Sequence, residues 1–225
     1  MNIEDLKFEK DVHITEADAL LIVDMQYDFV PGGALAVEGG DEIIDDINKL
    51  GKKFKNNDYH IVLTQDWHPE DHMSFASSYP DKEPGDDYDA EGIGPVLWPD
   101  HCVQGTRGAQ IHDDLDNTLG NAIIRKGYHP RVDSYSAFLE NDKKTETGLR
   151  GYLKDLDIDR IFICGLALDY CCFASAIDGR EFEFNVCFLP YLSKAIDDPP
   201  GNLSRALKTM TESGVKFVKI KDITF

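Results

Sequence analysis

The chain has 225 residues, a length suited to one large domain. Its formal charge of −19 argues against nucleic acid or an anionic membrane as partner, because both would repel it. No apolar run approaches the roughly 18 residues of a membrane span, and the charged start "MNIEDLKFEKDVH" lacks the apolar centre of a signal peptide. Five cysteines without framework spacing predict reduced thiols and a cytoplasmic location.

In chain order, the first predicted strand is "ALLIVD" (19–24). A helix follows in "DEIIDDINKLGKKF", where Ile43, Ile44, Ile47, Leu50 and Phe54 keep helical spacing and Asp41 stands as the expected N-cap. "HIVLTQ" (60–65) is the second strand. Residues 67–120 then break the rhythm with a long excursion rich in Gly, Pro and Asp, a length that points to site-building. Further strands are expected at "NAIIRK" (121–126), "RIFICG" (160–165), "NVCFLP" (185–190) and "VKFVKI" (215–220). "NLSRALKTMTESGV" supplies a helix with Leu203, Leu207 and Met210 on one stripe and Gly214 as its stop. The pattern predicts a single α/β domain over 1–225: a parallel β-sheet with helices on both faces.

Ligands of such sheets bind beyond the carboxyl ends of the strands. The first strand ends on Asp24, the second on Asp66 and the third on Lys126, while the fourth runs out into "LALDYCC". A carboxylate, an ammonium and a thiol therefore meet at one rim. Lys126, and the N-terminus of a helix beginning near Tyr170, are expected to favour the thiolate, with Asp24 as proton acceptor. Adjacent helical residues point about 100° apart, so one of Cys171 and Cys172 faces the cleft and the other packs inward. Spacing does not say which.

The excursion opens with "TQDWHPEDHMSF" and continues to "WPDHCVQG". Asp66 and His68 share a strand face, and His101 can join them in an open two-histidine, one-carboxylate site. Zinc, iron(II) and manganese all suit such a donor set, while Cys102 is expected to pack away from it. No G-x-G-x-x-G follows the first strand, which argues against a dinucleotide oxidoreductase.

These segments, with "IVDMQYDFVPGG", "RKGYHPRVDSYSAF" and "CGLALDYCCFASAID", resemble the nicotinamidases (pyrazinamidases) of the isochorismatase-like cysteine hydrolases, over about residues 19–190. The resemblance implies a Rossmann-like α/β fold and hydrolysis of nicotinamide to nicotinate and ammonia through a cysteine thioester, in NAD salvage. Nicotinamide and pyrazinamide are then the expected small-molecule substrates, and a homo-oligomer is compatible. It makes Asp24 the general base, Lys126 the third member of the triad and Cys171 the nucleophile, leaving Cys172 to pack. It implies one divalent metal on Asp66, His68 and His101, zinc first and iron or manganese as alternatives, binding the pyridine nitrogen and water. His72 and Ser74 fall at positions that vary between direct ligand and outer partner. Phe29, Trp98 and Tyr135 match the aromatics around the ring. A cis Leu166–Ala167 bond is expected, with the Ala167 and Cys171 N–H groups as oxyanion hole. Leu168 stands where many relatives carry Thr, and "DKEPGDDYDAEGIGP" is an insertion. Another amidase of the family, such as an N-carbamoyl amide hydrolase, and a catalytically silent scaffold are the rival readings.

Overall fold

Six β-branched runs become the six longest strands of the protein, whose computed structural model describes residues 1–225. The elements are β1 (Phe8–Glu9), β2 (Val12–His13), β3 (Asp18–Val23), α1 (Ile44–Asn56), β4 (His60–Asp66), β5 (Ala122–Lys126) and α2 (Leu149–Asp155). They continue with β6 (Arg160–Gly165), α3 (Phe173–Glu181), β7 (Asn185–Ser193), α4 (Asn202–Glu212), β8 (Lys216–Val218) and β9 (Ile223–Thr224). Seven strands form one parallel sheet in the order β1-β8-β7-β6-β3-β4-β5, and β2 pairs with β9 in a separate two-stranded ribbon.

Every residue of β3 is buried, as expected of a central parallel strand covered on both faces. Its side chains alternate: Leu20 and Ile22 join the core beneath α1, with Ile44, Ile47, Leu50 and Phe54. Ala19, Leu21 and Val23 join the opposite core, with Leu149 and Leu153 of α2, Ala176 of α3, and Leu207 and Met210 of α4. No helix is long and apolar enough to cross a membrane.

Two local expectations fail. Asp41 does not cap α1; the chain there makes tight turns, with Glu42 N–H to Gly39 O and Ile44 N–H to Asp41 O, and the helix starts at Ile44. Acidic Asp45 and Asp46 in the first turn supply the favourable charge instead. The last strand stops at Val218, because Ile220–Asp222 tightens into a 3₁₀ turn that leads into β9.

Candidate active site

The chain builds β3, β4 and β5 outward on one side, then returns to lay β6 against the other edge of β3. Connections leave these two central strands in opposite directions, so a crevice opens at their carboxyl ends. Gly165 makes the close approach possible: it sits at φ +113°, and a Cβ there would meet the Val23 carbonyl oxygen at 2.1 Å.

Asp24 follows β3 at φ +45°, a left-handed conformation that costs most side chains about 1–2 kcal/mol and that Asp tolerates better. Thr64 fixes it twice, accepting from Asp24 N–H at 3.1 Å and donating to Asp24 Oδ1 at 2.6 Å. Asp66 and Lys126 end β4 and β5 as direct register partners. Cys171 lies in a π-helical turn, Leu168–Cys172, between β6 and α3.

Lys126 is fully buried and unites the three strands. Its Nζ donates to Asp66 Oδ1 at 2.5 Å, to Ser134 O at 2.9 Å and toward Cys171 Sγ at 3.6 Å. Asp24 Oδ2 lies 2.9 Å from the same Nζ, a fully buried ion pair. Cys171 faces the cavity, whereas Cys172 is wholly buried in the core under α3.

The two carboxylates beside Lys126 are driven apart. Burial raises Asp24 to about 6, Lys126 resists, and the neighbouring Asp66 charge adds to the rise. For Asp66, burial also pushes upward, but Lys126 and His68 win and hold it below the usual carboxylate range. Lys126 stays a cation, since Asp24 and Asp66 outweigh its desolvation. Lys126 favours the Cys171 thiolate, as expected, but burial, aided by Asp24 and Asp66, outweighs it and raises the thiol well above its ordinary range. Cys171 lies in the π turn that runs directly into α3, two residues before that helix begins.

Asp66, His68 and His101 are buried with one ligand atom each, all within 4.8 Å of one another. Both rings are oriented from behind. His68 Nδ1 donates to Gly127 O at 2.8 Å and His101 Nδ1 to Pro99 O at 2.7 Å, leaving each Nε2 lone pair forward. Gly127 cannot carry a side chain: its φ is +63°, and a Cβ would meet the His68 ring at 2.4 Å. His68 Nε2 has no hydrogen-bond partner despite burial, and burial with the nearby His68 lowers His101 to about 4, its neutral ligand form. The donor set fits a divalent ion. His72 and Ser74 instead bind one another. Ser74 Oγ and N–H both approach His72 Nδ1, at 2.7 and 3.2 Å, while His72 Nε2 donates to Val132 O at 3.2 Å. Cys102, in the main core, is buried and donates its N–H to Asp28 Oδ2.

A narrow cavity covers these groups, lined by Phe29, Trp98, Tyr135, Ala167, Cys171, Asp66 and His101. Trp98 Nε1 donates to the Tyr135 hydroxyl at 3.0 Å, which donates to Gly94 O at 3.2 Å. Leu166–Ala167 is cis, and the Ala167 N–H has no intramolecular acceptor. Leu168 is buried in the core rather than the cavity, so the missing hydroxyl leaves the cavity lining unchanged.

Sequence reasoning missed Tyr170, Leu35, Ile196 and Asp133, which also line the cavity. Tyr170 was visible as the aromatic before the nucleophile; its ring stands edge-on to Trp98 and Tyr135 at 5.2 and 5.7 Å. Ile196 arrives through Asp169, whose carboxylate accepts the N–H groups of Ile196 and Asp197 and the Asn202 amide.

Fold and rim together define a member of the isochorismatase domain family. Its model matches residues 18–222, and the chain belongs to it. The named relatives point to one activity within that family. The chain is 47% identical over 205 residues to a nicotinamidase of Acinetobacter baylyi, covering 91% of this chain and 94% of the relative. It superposes with a TM-score of 0.81 and 39% identity on PnC1 from L. infantum in complex with nicotinate, covering 95% and 98% of the two chains. The pyrazinamidase of Pyrococcus horikoshii in complex with zinc gives 0.74 and 38% identity, with 91% and 99% covered.

Proposed function

We propose that this chain hydrolyses nicotinamide to nicotinate and ammonia, with pyrazinamide as a second substrate, through a thioester on Cys171. The observation that carries the reading is Cys171 Sγ, Asp24 and Asp66 gathered on one buried ammonium beneath an aromatic cavity. Its aromatic lining suits the faces of a single flat ring. The alternative of a silent scaffold has nothing to explain why three charged groups are kept buried there at the cost of their desolvation.

Asp24, at about 6, is ionised at neutral pH yet basic enough to take the Cys171 proton as sulfur attacks the carboxamide carbon. The S–C bond forms, and the carbonyl oxygen gathers charge opposite the Ala167 and Cys171 N–H groups. The proton on Asp24 passes to the departing nitrogen, the C–N bond breaks and ammonia leaves. Water then attacks the thioester carbon, Asp24 takes its proton, and sulfur leaves as thiol with that proton returned. Lys126 keeps Asp24 ionised between steps and balances each negative charge. Phe29, Trp98, Tyr135 and Tyr170 fix the ring so that the carboxamide reaches Sγ.

Asp66, His68 and His101 would hold the divalent ion, zinc first. When bound, it supplies Lewis acidity: an anchor for the ring nitrogen and acidified water beside the acyl carbon. Five free buried cysteines fit a reducing compartment, and we assign the protein to the cytoplasm. The test is ammonia release from nicotinamide, with and without exhaustive chelation. Turnover absent from the metal-loaded protein would overturn the reading, and full turnover in the metal-free protein would remove the ion from it.

A further inference from the structure

Four buried side-chain atoms have no hydrogen-bond partner: Asp24 Oδ2, His68 Nε2, Asp133 Oδ2 and Glu140 Oε2. Asp24 is ion-paired to Lys126, and Glu140 is outside the cavity lining. His68 Nε2 faces Asp66 Oδ2 at 3.7 Å, which leaves Asp133 Oδ2. One nitrogen each of His68 and His72 and a carboxylate oxygen of Asp133 lie within 4.8 Å of one another. Leaving a carboxylate oxygen without a partner in a buried wall is costly, and a hydrogen-bond donor in the cavity would satisfy Asp133 Oδ2.

Asp133 is held firmly in place. Its N–H donates to Gly92 O at 2.8 Å, and its Oδ1 accepts from Ser134 N–H at 2.8 Å. The next residue's carbonyl, Ser134 O, receives the Lys126 ammonium. Asp133 thus presents a single free oxygen, Oδ2, from a position tied to the triad, and the residue is 2% exposed while lining the cavity beside Asp66, His101 and Cys171. It does not join the mutually close set of Asp66, His68 and His101. It is grouped instead with His68 and His72, a second close set that shares His68 with the first.

We propose that Asp133 is a positioning residue of the metal centre: its Oδ2 would accept a hydrogen bond from water on the ion that Asp66, His68 and His101 would hold, and so orient that water in the cavity shared with Cys171. The proposal rests on the metal reading above. The acidic insertion gains a role as well, since Gly92 O anchors Asp133 and Gly94 O anchors Tyr135. The segment that lengthens the loop supports the wall from behind.

Asp133→Asn is the discriminating variant. It keeps an oxygen for Ser134 N–H and replaces only the free acceptor with a donor. Zinc affinity, read by competition with a chromophoric chelator, should weaken by about 10–100-fold. The metal-free protein should melt at the wild-type temperature. The visible spectrum of the cobalt(II) form should keep its intensity, because no inner ligand is lost. Wild-type affinity in Asp133→Asn overturns the proposal, and so does a cobalt spectrum reporting a changed coordination number, which would make Asp133 a direct ligand. Should Asp133→Asn fail to fold, Asp133→Ala is read the same way and must weaken zinc at least tenfold. A wild-type protein that binds no zinc overturns both this proposal and the metal reading, whereas tight wild-type binding with an indifferent Asp133→Asn overturns this one alone.

Discussion

The strand-built half of the cavity and its loop-built half follow different rules. Asp24, Asp66 and Lys126 stand at the ends of three adjacent parallel strands, and their mutual distances follow from sheet register: Asp66 opposite Lys126, β3 alongside β4. His101, Trp98, Tyr135 and Asp133 have no such frame. Carbonyl oxygens of neighbouring loops hold them: Pro99 O, Gly94 O and Gly92 O. A sheet positions side chains through a repeating spacing, so a few residues suffice. A loop must provide a specific acceptor for each group, and the 67–120 excursion needs its length to supply them. Within that excursion Ala76, Ile93 and Leu97 form a small core of their own, which gives those acceptors fixed places.

The largest effect should break the strand-built half. Cys171→Ala abolishes hydrolysis, whereas Cys172→Ala keeps turnover and loses about 1–3 kcal/mol of stability as a buried side chain is trimmed. Single-turnover assays and chemical denaturation check both, and turnover surviving in Cys171→Ala would exclude the nucleophile assignment.

Asp24→Asn comes next, with acylation slowed by about 10²–10⁴-fold. The pH dependence has a definite sign. Asp24 must be ionised to accept the proton, so wild-type acylation falls as pH drops through about 6. Lys126 opposes the rise in Asp24, so Lys126→Met should move that acid limb to higher pH. An acid limb near 4 in the wild type would show that burial does not govern this carboxylate.

Tyr135→Phe sharpens the comparison from the loop side. It removes the hydroxyl that links Trp98 Nε1 to Gly94 O and leaves the strand ends untouched. KM for nicotinamide should rise by about 3–10-fold with kcat nearly constant, the signature of weakened ground-state binding. A fall in kcat at constant KM would place the aromatic wall in the chemistry instead.

The same division explains what the sequence disclosed. Near-continuous apolar runs marked the strands, and the charged residue ending each run marked the rim, because a parallel sheet turns position in a run directly into position in space. Asp133 and Ile196 carried no such signal. Asp133 enters through a hydrogen bond to Gly92, 41 residues earlier, and Ile196 through a buried carboxylate on another turn. The balance at the thiol was legible only in part: a lysine near a cysteine is visible in the motif order, but full burial of the sulfur, which outweighs it, is not. Asp41 failed as a cap because two buried isoleucines, Ile43 and Ile44, fix where the turn ends.

The acidic insertion also has a consequence for traffic. Asp81, Glu83, Asp87, Asp89 and Glu91 are exposed on the segment that backs Tyr135, on a chain whose formal charge is −19. Nicotinamide arrives neutral and is indifferent to that field, but nicotinate departs as an anion and is pushed outward by it. The surface thereby works as a one-way valve for charge, easing product release without touching substrate entry. Salt shortens the reach of the field to about 8 Å at 0.15 M, so inhibition by nicotinate should tighten modestly as ionic strength rises while KM for nicotinamide stays level. Inhibition that weakens with salt would mean that the cavity's own cation, Lys126, dominates the product's path.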